Sequence, residues 1–351
     1  MIQIRPAFWL TLPLLLASCG QTIAASPQAS ASSQPSSASK PISQSAAAGS
    51  AAASGESGAL VIFGAGTLAV PFKDIEAAFS KDHAGVTFQP QFGGSVKMVK
   101  QVTELNQPAD VVAVADYNVI PQEMFGQGGK KAFASWYAGF VSNAITFVYT
   151  PKSKGADTIT ADNWYKVLAQ PGVQIGRSNP DTDPSGYQTL QMLKLAETYY
   201  HQPGLYDAIL KNAPQTNMRD TETELLSALQ ANQIDYLAIY RSDAQQHSLK
   251  YLQLPAQIDL SDAKYSVDYA KAVVTTKSGR LQGKPIVYAL TVPDNAPRPA
   301  LGRQFAAFVL GQAGEALLKK NGFVPISPAY ANSVKAVPTD LANLIQPWPA
   351  P

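Results

Sequence analysis

The amino-acid sequence predicts an α/β fold with two lobes, each built on a doubly wound sheet, around a cleft that closes by a hinge. Short continuous apolar runs alternate with stretches whose apolar residues recur at three- and four-residue steps. That alternation is typical of buried parallel strands followed by helices. The chain of 351 residues allows a large core divided between two lobes. We expect the lobes to be joined by two crossings, so that the cleft can close around a ligand.

The first predicted unit is a strand, a glycine loop and a helix. Residues 59–63 form a continuous apolar run, which leads through Gly64 and Gly66 to a helical pattern with Thr67 at or near its cap. The two glycines do not form the dinucleotide-binding fingerprint, because the third glycine and an acidic partner are missing. We therefore expect no cofactor at this loop.

A second unit repeats the same order. Residues 86–88 form the strand, and Gly94 precedes a helix for which Ser95 is the predicted N-cap. A third buried strand is predicted at 110–114. Because ligands of open α/β sheets bind beyond the carboxyl ends of the strands, Thr67 and Ser95 are candidate binding residues.

The second lobe is predicted to begin after the strand at 144–149, where the polar segment 151–154 reads as the crossing. A helix is predicted at 222–231, followed by a strand at 234–240. The segment 285–292 reads as the strand that returns to the first lobe, and 301–321 reads as a final helix.

Residues 178–187, with the sequence SNPDTDPSGY, are predicted to form a loop that ends at a helix N-terminus. Asp183 or Ser185 could cap that helix. A helix N-terminus presents free N–H groups and a partial positive charge, which suits an anion. Asp183 is therefore unusual, since it places a carboxylate where an anion would bind.

The N-terminus is predicted to be an export signal. Arg5 and the apolar run 8–16 have the form of a signal peptide, and residues 16–19 resemble the bacterial lipoprotein box. By that resemblance Cys19 becomes the lipid-carrying N-terminus of the mature chain. The Ala-, Ser- and Pro-rich segment after it is too poor in large apolar residues to fold and is predicted to be a tether. The predicted divisions are the signal peptide at 1–18, the tether at 19–58, the first part of lobe 1 at 59–149, lobe 2 at 150–284, and the return to lobe 1 at 285–351.

Composition excludes several functions. A formal charge of +2, which becomes 26 minus 25, or +1, without the signal peptide, argues against a nucleic-acid binder. Cys19 is the single cysteine, so the folded part has no disulfide and no thiolate metal site. The three histidines show no metal-ligand spacing, and the sequence has no Gly-x-Ser-x-Gly nucleophile elbow. We therefore expect a binding protein with no cofactor, and not an enzyme such as a hydrolase using Ser95 or Ser185.

Dispersed motifs between residue 59 and about 325 resemble those of the extracytoplasmic tungstate/molybdate-binding proteins of ABC importers, in particular the archaeal-type tungstate binders. The matching segments are GTLxVPF at 66–72, GSV at 94–96, ADVVAVADY at 109–117, SNP at 178–180, DPxGY at 183–187, IDY at 234–236, QH at 246–247, KY at 250–251 and GKPIVY at 283–288. The resemblance implies the type II fold of periplasmic binding proteins.

The resemblance also implies the ligand site. The oxyanion would be held by residues of both lobes, namely Gly66, Thr67, Gly94, Ser95, Asp183, Pro184, Ser185, Glu222 and Tyr240. Asp183 and Glu222 would add two oxygens to the four oxo groups of tungstate or molybdate, making the metal six-coordinate. Glu224 is the alternative to Glu222. The family usually has Ser at the position of Thr67 and often Cys at that of Ser185, and both changes keep a donor.

The function implied is that of a monomeric, lipid-anchored receptor that delivers tungstate or molybdate to a membrane permease. The alternative is a type II receptor for phosphate, sulfate or a small organic anion, which would recognise ligand oxygens alone. The sequence does not distinguish tungstate from molybdate, because the two oxyanions are nearly the same size.

Overall fold

The computed structural model describes residues 57–349. The predicted signal peptide, Cys19 and the tether up to residue 56 lie outside the described residues. In chain order the strands are β1 (Gly58–Ala65), β2 (Val86–Gly93), β3 (Val111–Val114), β4 (Ala138–Ser142), β5 (Ile145–Tyr149), β6 (Ile175–Ser178), β7 (Met218–Arg219), β8 (Tyr236–Tyr240), β9 (Lys250–Tyr251), β10 (Val273–Thr276), β11 (Gly279–Gln282), β12 (Val287–Thr291), β13 (Val324–Ala331) and β14 (Ile345–Pro347). The helices are α1 (Ala69–Phe79), α2 (Ser95–Thr103), α3 (Val119–Met124), α4 (Trp164–Leu168), α5 (Pro184–Tyr199), α6 (Leu205–Lys211), α7 (Leu226–Gln230), α8 (Arg241–Gln246), α9 (Ser266–Tyr269), α10 (Pro299–Leu310) and α11 (Gln312–Lys320).

Lobe 1 is built on a seven-stranded sheet in the order β14-β13-β4-β12-β3-β1-β2. β1 is parallel to both β2 and β3, while β12 is antiparallel to β3 and β4. The first three strands therefore end at the same edge, where the loops after β1 and β2 begin α1 and α2. Phe72, Phe79 and Phe305 pack edge to face between α1 and α10 and bury that side of the sheet.

Lobe 2 is built on a five-stranded sheet in the order β7-β6-β8-β5-β9. β6 is parallel to β8, and β5 is antiparallel to β8. The 16-residue α5 begins just beyond β6 and buries Met192, Leu193 and Ala196 in the core. This packing fixes the direction in which the N-terminus of α5 points.

The chain changes sheets between Ser142 and Ile145, and not at the predicted boundary between 149 and 150. β5 pairs along its whole length with β8 of lobe 2, so the strand belongs to that lobe. The polar segment 151–154 is a turn held to lobe 2 by a hydrogen bond from Ser153 Oγ to the Asp235 carbonyl at 2.5 Å. A surface turn and an interlobe linker have the same polar composition, which explains the error.

The second crossing lies beside the first. The Asn143 N–H donates to the carbonyl of Ile286 at 3.3 Å, and the Ile286 N–H donates to that of Leu260 at 2.8 Å. The Ile145 N–H donates to the Asp259 carbonyl at 2.9 Å. The two crossings are thus bonded to each other and to one loop, which makes a compact hinge.

Some predicted elements differ in their bounds. The helix predicted at 301–321 is two helices, because Gly311 has extended backbone dihedrals between α10 and α11. The helix predicted at 222–231 is a 3-10 turn at Glu222–Leu225 followed by α7. The strand predicted at 234–240 begins two residues later, as β8. None of the helices between residues 57 and 349 has the length and apolar character needed to span a membrane.

Candidate functional site

The polar side chains predicted to bind a ligand meet in the cleft between the lobes. Lobe 1 supplies the 3-10 turn Gly66–Leu68 after β1 and the first residue of α2. Lobe 2 supplies the N-terminus of α5, the turn Glu222–Leu225 and the end of β8. The side chains lie deep in the molecule, each at most 2% exposed: Thr67, Ser95, Asp183, Ser185, Glu222 and Tyr240.

Two glycines allow the lobes to approach closely. A Cβ on Gly94 would collide with the carbonyl of Thr182 and would lie 2.8 Å from that of Asp220. A Cβ on Gly66 would lie 2.8 Å from the Thr221 hydroxyl. At Gly94 the neighbours are backbone atoms, so only glycine fits the closed cleft there, whereas at Gly66 a side chain would force the Thr221 hydroxyl to move.

The hydroxyls of lobe 1 are already bonded. Thr67 Oγ1 donates to the Tyr288 hydroxyl at 3.0 Å, and Ser95 Oγ accepts the Ala115 N–H at 3.0 Å. Ser95 is the first residue of α2, whose N-cap is Gly94, so its predicted capping role is wrong. Its hydroxyl proton remains available to an anion, because the bond to Ala115 uses a lone pair.

Thr67 lies next to Leu68, the N-cap of α1, as predicted, but it belongs to the preceding 3-10 turn and its hydroxyl bonds Tyr288. The turn points its side chain toward Tyr288 in the middle of lobe 1. Tyr288 also accepts a hydrogen bond from Asn143 Nδ2 at 3.3 Å, which connects the site to the hinge.

The carboxyl groups of lobe 2 lie in a less favourable environment than these hydroxyls, because they are buried close to each other. Burial raises the pKa of Asp183 well above its ordinary value, and the nearby charge of Glu222 raises it further. Of the ion pairs formed among residues 57–349, none includes either residue. Glu222 Oε2 accepts a hydrogen bond from Thr221 Oγ1 at 3.1 Å.

Asp183 is the N-cap residue of α5, but its side chain makes no capping hydrogen bond. Within the described part of the chain its Oδ2 has no hydrogen-bond partner, and neither has Ser185 Oγ. Pro184 fills the first helical position, where the missing N–H costs least. Buried polar atoms are normally paired, so these atoms indicate a place for a bound group.

Tyr240 lies at the edge of the same site. Its hydroxyl donates to Gln188 Oε1 at 2.7 Å, and burial raises its pKa well above the ordinary value. The charges of Asp183 and Glu222 add to that shift, which places the ring near both carboxyls. Glu224, the alternative to Glu222, is exposed on the surface.

The sequence reasoning missed Asp243 and Tyr288. Asp243 is 1% exposed, its Oδ2 has no partner among the residues described, and burial followed by the charge of Glu222 raises its pKa. Its position just after β8, at the carboxyl end of a strand, was an available signal. Tyr288 lies within β12. The apolar pattern of a buried strand does not show that the hydroxyl of one of its residues belongs to a polar site.

The arrangement combines hydroxyl donors on one lobe with carboxyls on the other. No set of three or more His, Cys, Asp or Glu side chains within 57–349 is placed to hold a metal cation. Two α/β lobes, a hinge of two crossings and an enclosed polar cleft define a solute-binding protein. The class is set by this geometry before any relative is considered.

A family model for bacterial extracellular solute-binding proteins matches residues 60–324, and the chain belongs to that family. A solute-binding protein of Petrotoga mobilis is 38% identical over 296 residues, covering 83% of this chain and 91% of the relative. The molybdate/tungstate-binding protein WtpA of Pyrococcus abyssi is 36% identical over 318 residues, covering 82% and 90%. The family resemblance drawn from the sequence is thus confirmed.

Solved structures confirm the type II fold. The periplasmic molybdate-binding protein of Azotobacter vinelandii aligns with a TM-score of 0.55 at 20% identity, covering 76% of this chain and 98% of that one. The sulfate-binding protein SubI of Mycobacterium tuberculosis aligns with a TM-score of 0.54 at 14% identity, covering 77% and 88%. At such identities the likeness concerns the fold alone.

Proposed function

We propose that this protein captures tungstate or molybdate outside the cytoplasmic membrane and delivers it, without turnover, to the permease of an ABC transporter. The observation that carries the proposal is the buried contact between Asp183 and Glu222, with an Asp183 oxygen that has no partner among the described residues. The relatives from Pyrococcus abyssi and Thermococcus kodakarensis are molybdate/tungstate-binding proteins, which supports the choice of ligand.

The hydroxyls and helix N-termini suit the oxygens of a tetrahedral dianion. Ser95 and Ser185 would donate to oxo groups, and Thr67 would do so by redirecting the proton that it gives to Tyr288. The N-termini of α2 and α5 begin at residues of the site and would add a partial positive charge. Gly66 and Gly94 would let the two lobes close around the anion. These features alone would also suit sulfate or phosphate.

The two carboxyls distinguish the candidate anions. A carboxylate about 4 Å from a like charge costs about 4 kcal/mol at an effective dielectric of about 20, so Asp183 and Glu222 would repel sulfate. A high-valent tungsten or molybdenum centre accepts hard oxygen ligands, whereas sulfur and phosphorus in their oxyanions do not. Bonds from the two carboxylates to the metal would therefore favour tungstate and molybdate, whereas the same carboxylates would repel sulfate and phosphate. Tyr240 would line the edge of the site.

X-ray absorption on the tungstate-loaded protein tests the proposal, because it counts the oxygen neighbours of the metal. We expect six neighbours in the native protein and in Glu224→Ala, a control that removes a nearby exposed carboxylate. The double variant Asp183→Ala, Glu222→Ala should retain four neighbours or lose the metal. Four neighbours in the native protein, or sulfate binding as tight as tungstate binding, would overturn the assignment.

A lipid on Cys19, which lies outside the described residues, would keep the receptor beside its permease. The lipid anchor follows from the lipoprotein-box sequence at 16–19. Mass spectrometry of the native N-terminal peptide should show a diacylated cysteine. An unmodified N-terminus that begins before residue 19 would exclude the anchor.

A further inference from the structure

Three residues beside the oxyanion site join the lobes at its edge, and all belong to segments that matched the family without an assigned role. Asp116 follows β3 in lobe 1, and Tyr187 lies in the first turn of α5 in lobe 2. Lys284 follows β11 and directly precedes the second crossing. Asp116 and Tyr187 are 4% and 3% exposed, so the contact between them is shielded from water.

Asp116 uses both carboxylate oxygens. Oδ2 accepts the Tyr187 hydroxyl at 2.8 Å, while Oδ1 accepts the Asn118 N–H at 2.9 Å and lies 3.2 Å from Lys284 Nζ. The bond to Asn118 holds the carboxylate in the loop after β3. Because Tyr187 and Asp116 belong to different lobes, opening of the cleft must break the bond between them.

Lys284 compensates the charge of Asp116. Its side chain is 20% exposed and its ammonium also lies 4.4 Å from the centroid of the Tyr117 ring, so the lysine is held in place. A bare carboxylate this close to the cleft would oppose a bound dianion. With Lys284 present, Asp116 can accept the tyrosine bond without adding net negative charge.

The Tyr187 bond is mechanically coupled to the ligand site. Tyr187 lies on α5, whose N-terminal residues Asp183 and Ser185 form the lobe 2 side of the oxyanion site. When α5 reaches across the cleft toward a ligand on lobe 1, the same rigid movement brings Tyr187 to Asp116. A second contact between the lobes, from Lys97 Nζ to Asp220 at 2.7 Å, is exposed to solvent, and such pairs stabilise little.

We propose that Asp116 and Tyr187 form a latch that holds the closed state and sets the rate at which the oxyanion leaves, with Lys284 as the residue that positions and neutralises Asp116. The inference deepens the proposed function and rests on it. The latch residues are positioning residues, because they act on the anion through the closure of the lobes.

The rate of tungstate release from Tyr187→Phe tests the latch. It is measured by stopped-flow, with excess molybdate added to displace the tungstate. A hydrogen bond to a charged group should slow release on the order of tenfold, so the variant should lose that factor in the dissociation rate. The association rate should change by less than about twofold, since the open cleft contains no latch. Tyr199→Phe, a half-exposed tyrosine at the other end of α5, should behave as the native protein.

Asp116→Asn keeps the shape of the side chain and should also speed release, but less than Tyr187→Phe, because the amide keeps an acceptor oxygen and Lys284 loses its counter-charge. The double variant should release no faster than the faster single variant, because both changes act on one bond. The tungsten coordination shell should be the same in all of these proteins. Native release rates in both single variants, or fully multiplicative effects in the double variant, would overturn the latch. Failure of the native protein to bind tungstate would instead overturn the proposed function.

Discussion

The two lobes contribute to one site in opposite ways. In lobe 1 each candidate hydroxyl already has a hydrogen-bond partner, since Thr67 donates to Tyr288 and Ser95 accepts the Ala115 N–H. In lobe 2 the Asp183 carboxyl is buried against Glu222, and atoms of Asp183 and Ser185 have no partner within the described part of the chain. The lobe 1 side of the site is therefore stabilised by its own hydrogen bonds. The lobe 2 side buries carboxyl and hydroxyl groups at a cost in free energy.

This difference suggests how the protein divides affinity from selectivity. In the proposed site, hydroxyls that already have partners form a preorganised surface for any oxyanion of suitable size, because binding requires little movement of the side chains. Buried carboxyls penalise every anion except one that can take their oxygens as ligands. Strain at a binding site persists only when the surrounding structure imposes it, and here the packing of α5 against the lobe 2 sheet does so.

The largest expected effect is on the affinity for tungstate, and it is tested by comparing one variant from each lobe. Asp183→Ala should weaken tungstate binding more than about 100-fold, since in the proposed site Asp183 is a ligand of the metal. Thr67→Val should weaken it by about 1.5 kcal/mol, or roughly tenfold, the usual value of one hydrogen bond to a charged group. Isothermal titration with tungstate measures both losses.

Sulfate provides the matched control for this comparison. Asp183→Ala should bind sulfate at least as well as the native protein, because a repulsive charge has gone, whereas Thr67→Val should bind it less well. Thr67→Ser, which keeps the hydroxyl, should resemble the native protein toward both anions. Equal losses of tungstate affinity at Asp183 and Thr67 would remove the distinction between the lobes.

A second prediction concerns two serines in the ligand-free protein. Ser95→Ala should lower the free energy of unfolding by about 1–3 kcal/mol, because the buried Ala115 N–H loses its acceptor. Ser185→Ala should change it by less than about 0.5 kcal/mol, since its hydroxyl has no partner among residues 57–349. Urea denaturation compares the pair, and a larger loss at Ser185 than at Ser95 would reverse the proposed order.

The smallest effect is the pH dependence of the ligand-free protein. Because the pKa of Asp183 is raised on folding, the folded state binds more protons than the unfolded state above the unfolded pKa of about 4. Stability contributed by this group is therefore complete below about pH 4 and is lost as the pH rises toward the folded pKa. Asp183→Asn should remove that loss.

Melting curves between about pH 4 and pH 8 measure this effect. The melting temperature of Asp183→Asn relative to the native protein should increase steadily with pH. Ser185→Ala, which removes a neighbouring side chain that has no titratable group, serves as the control and should show no such increase. A difference that stays constant with pH would mean that Asp183 is not strained in the free protein.

Much of the fold was predictable because local patterns decide it. The apolar run before Gly66 and the helical pattern after Ser95 placed the strand–loop–helix units of lobe 1, and the DPxGY segment placed the start of α5. The lobe boundary was wrong, because β5 was assigned by order along the chain and not by its pairing with β8. The cap predicted at Ser95 was also wrong by one residue, since the N-cap is Gly94 and the Ser95 hydroxyl bonds the distant Ala115 N–H.

The sequence by itself determined the class of fold, the dispersed motifs of the family and the side chains able to meet an oxyanion. The tertiary structure alone decided which of Glu222 and Glu224 faces the cleft, that Asp243 joins the carboxyls, and that Tyr187 bonds Asp116, 71 residues away in the chain. Local propensity acts over a few residues, whereas burial and pairing arise only when distant segments pack together. The raised pKa of Asp183, a consequence of that packing, could not be read from its neighbours in the sequence.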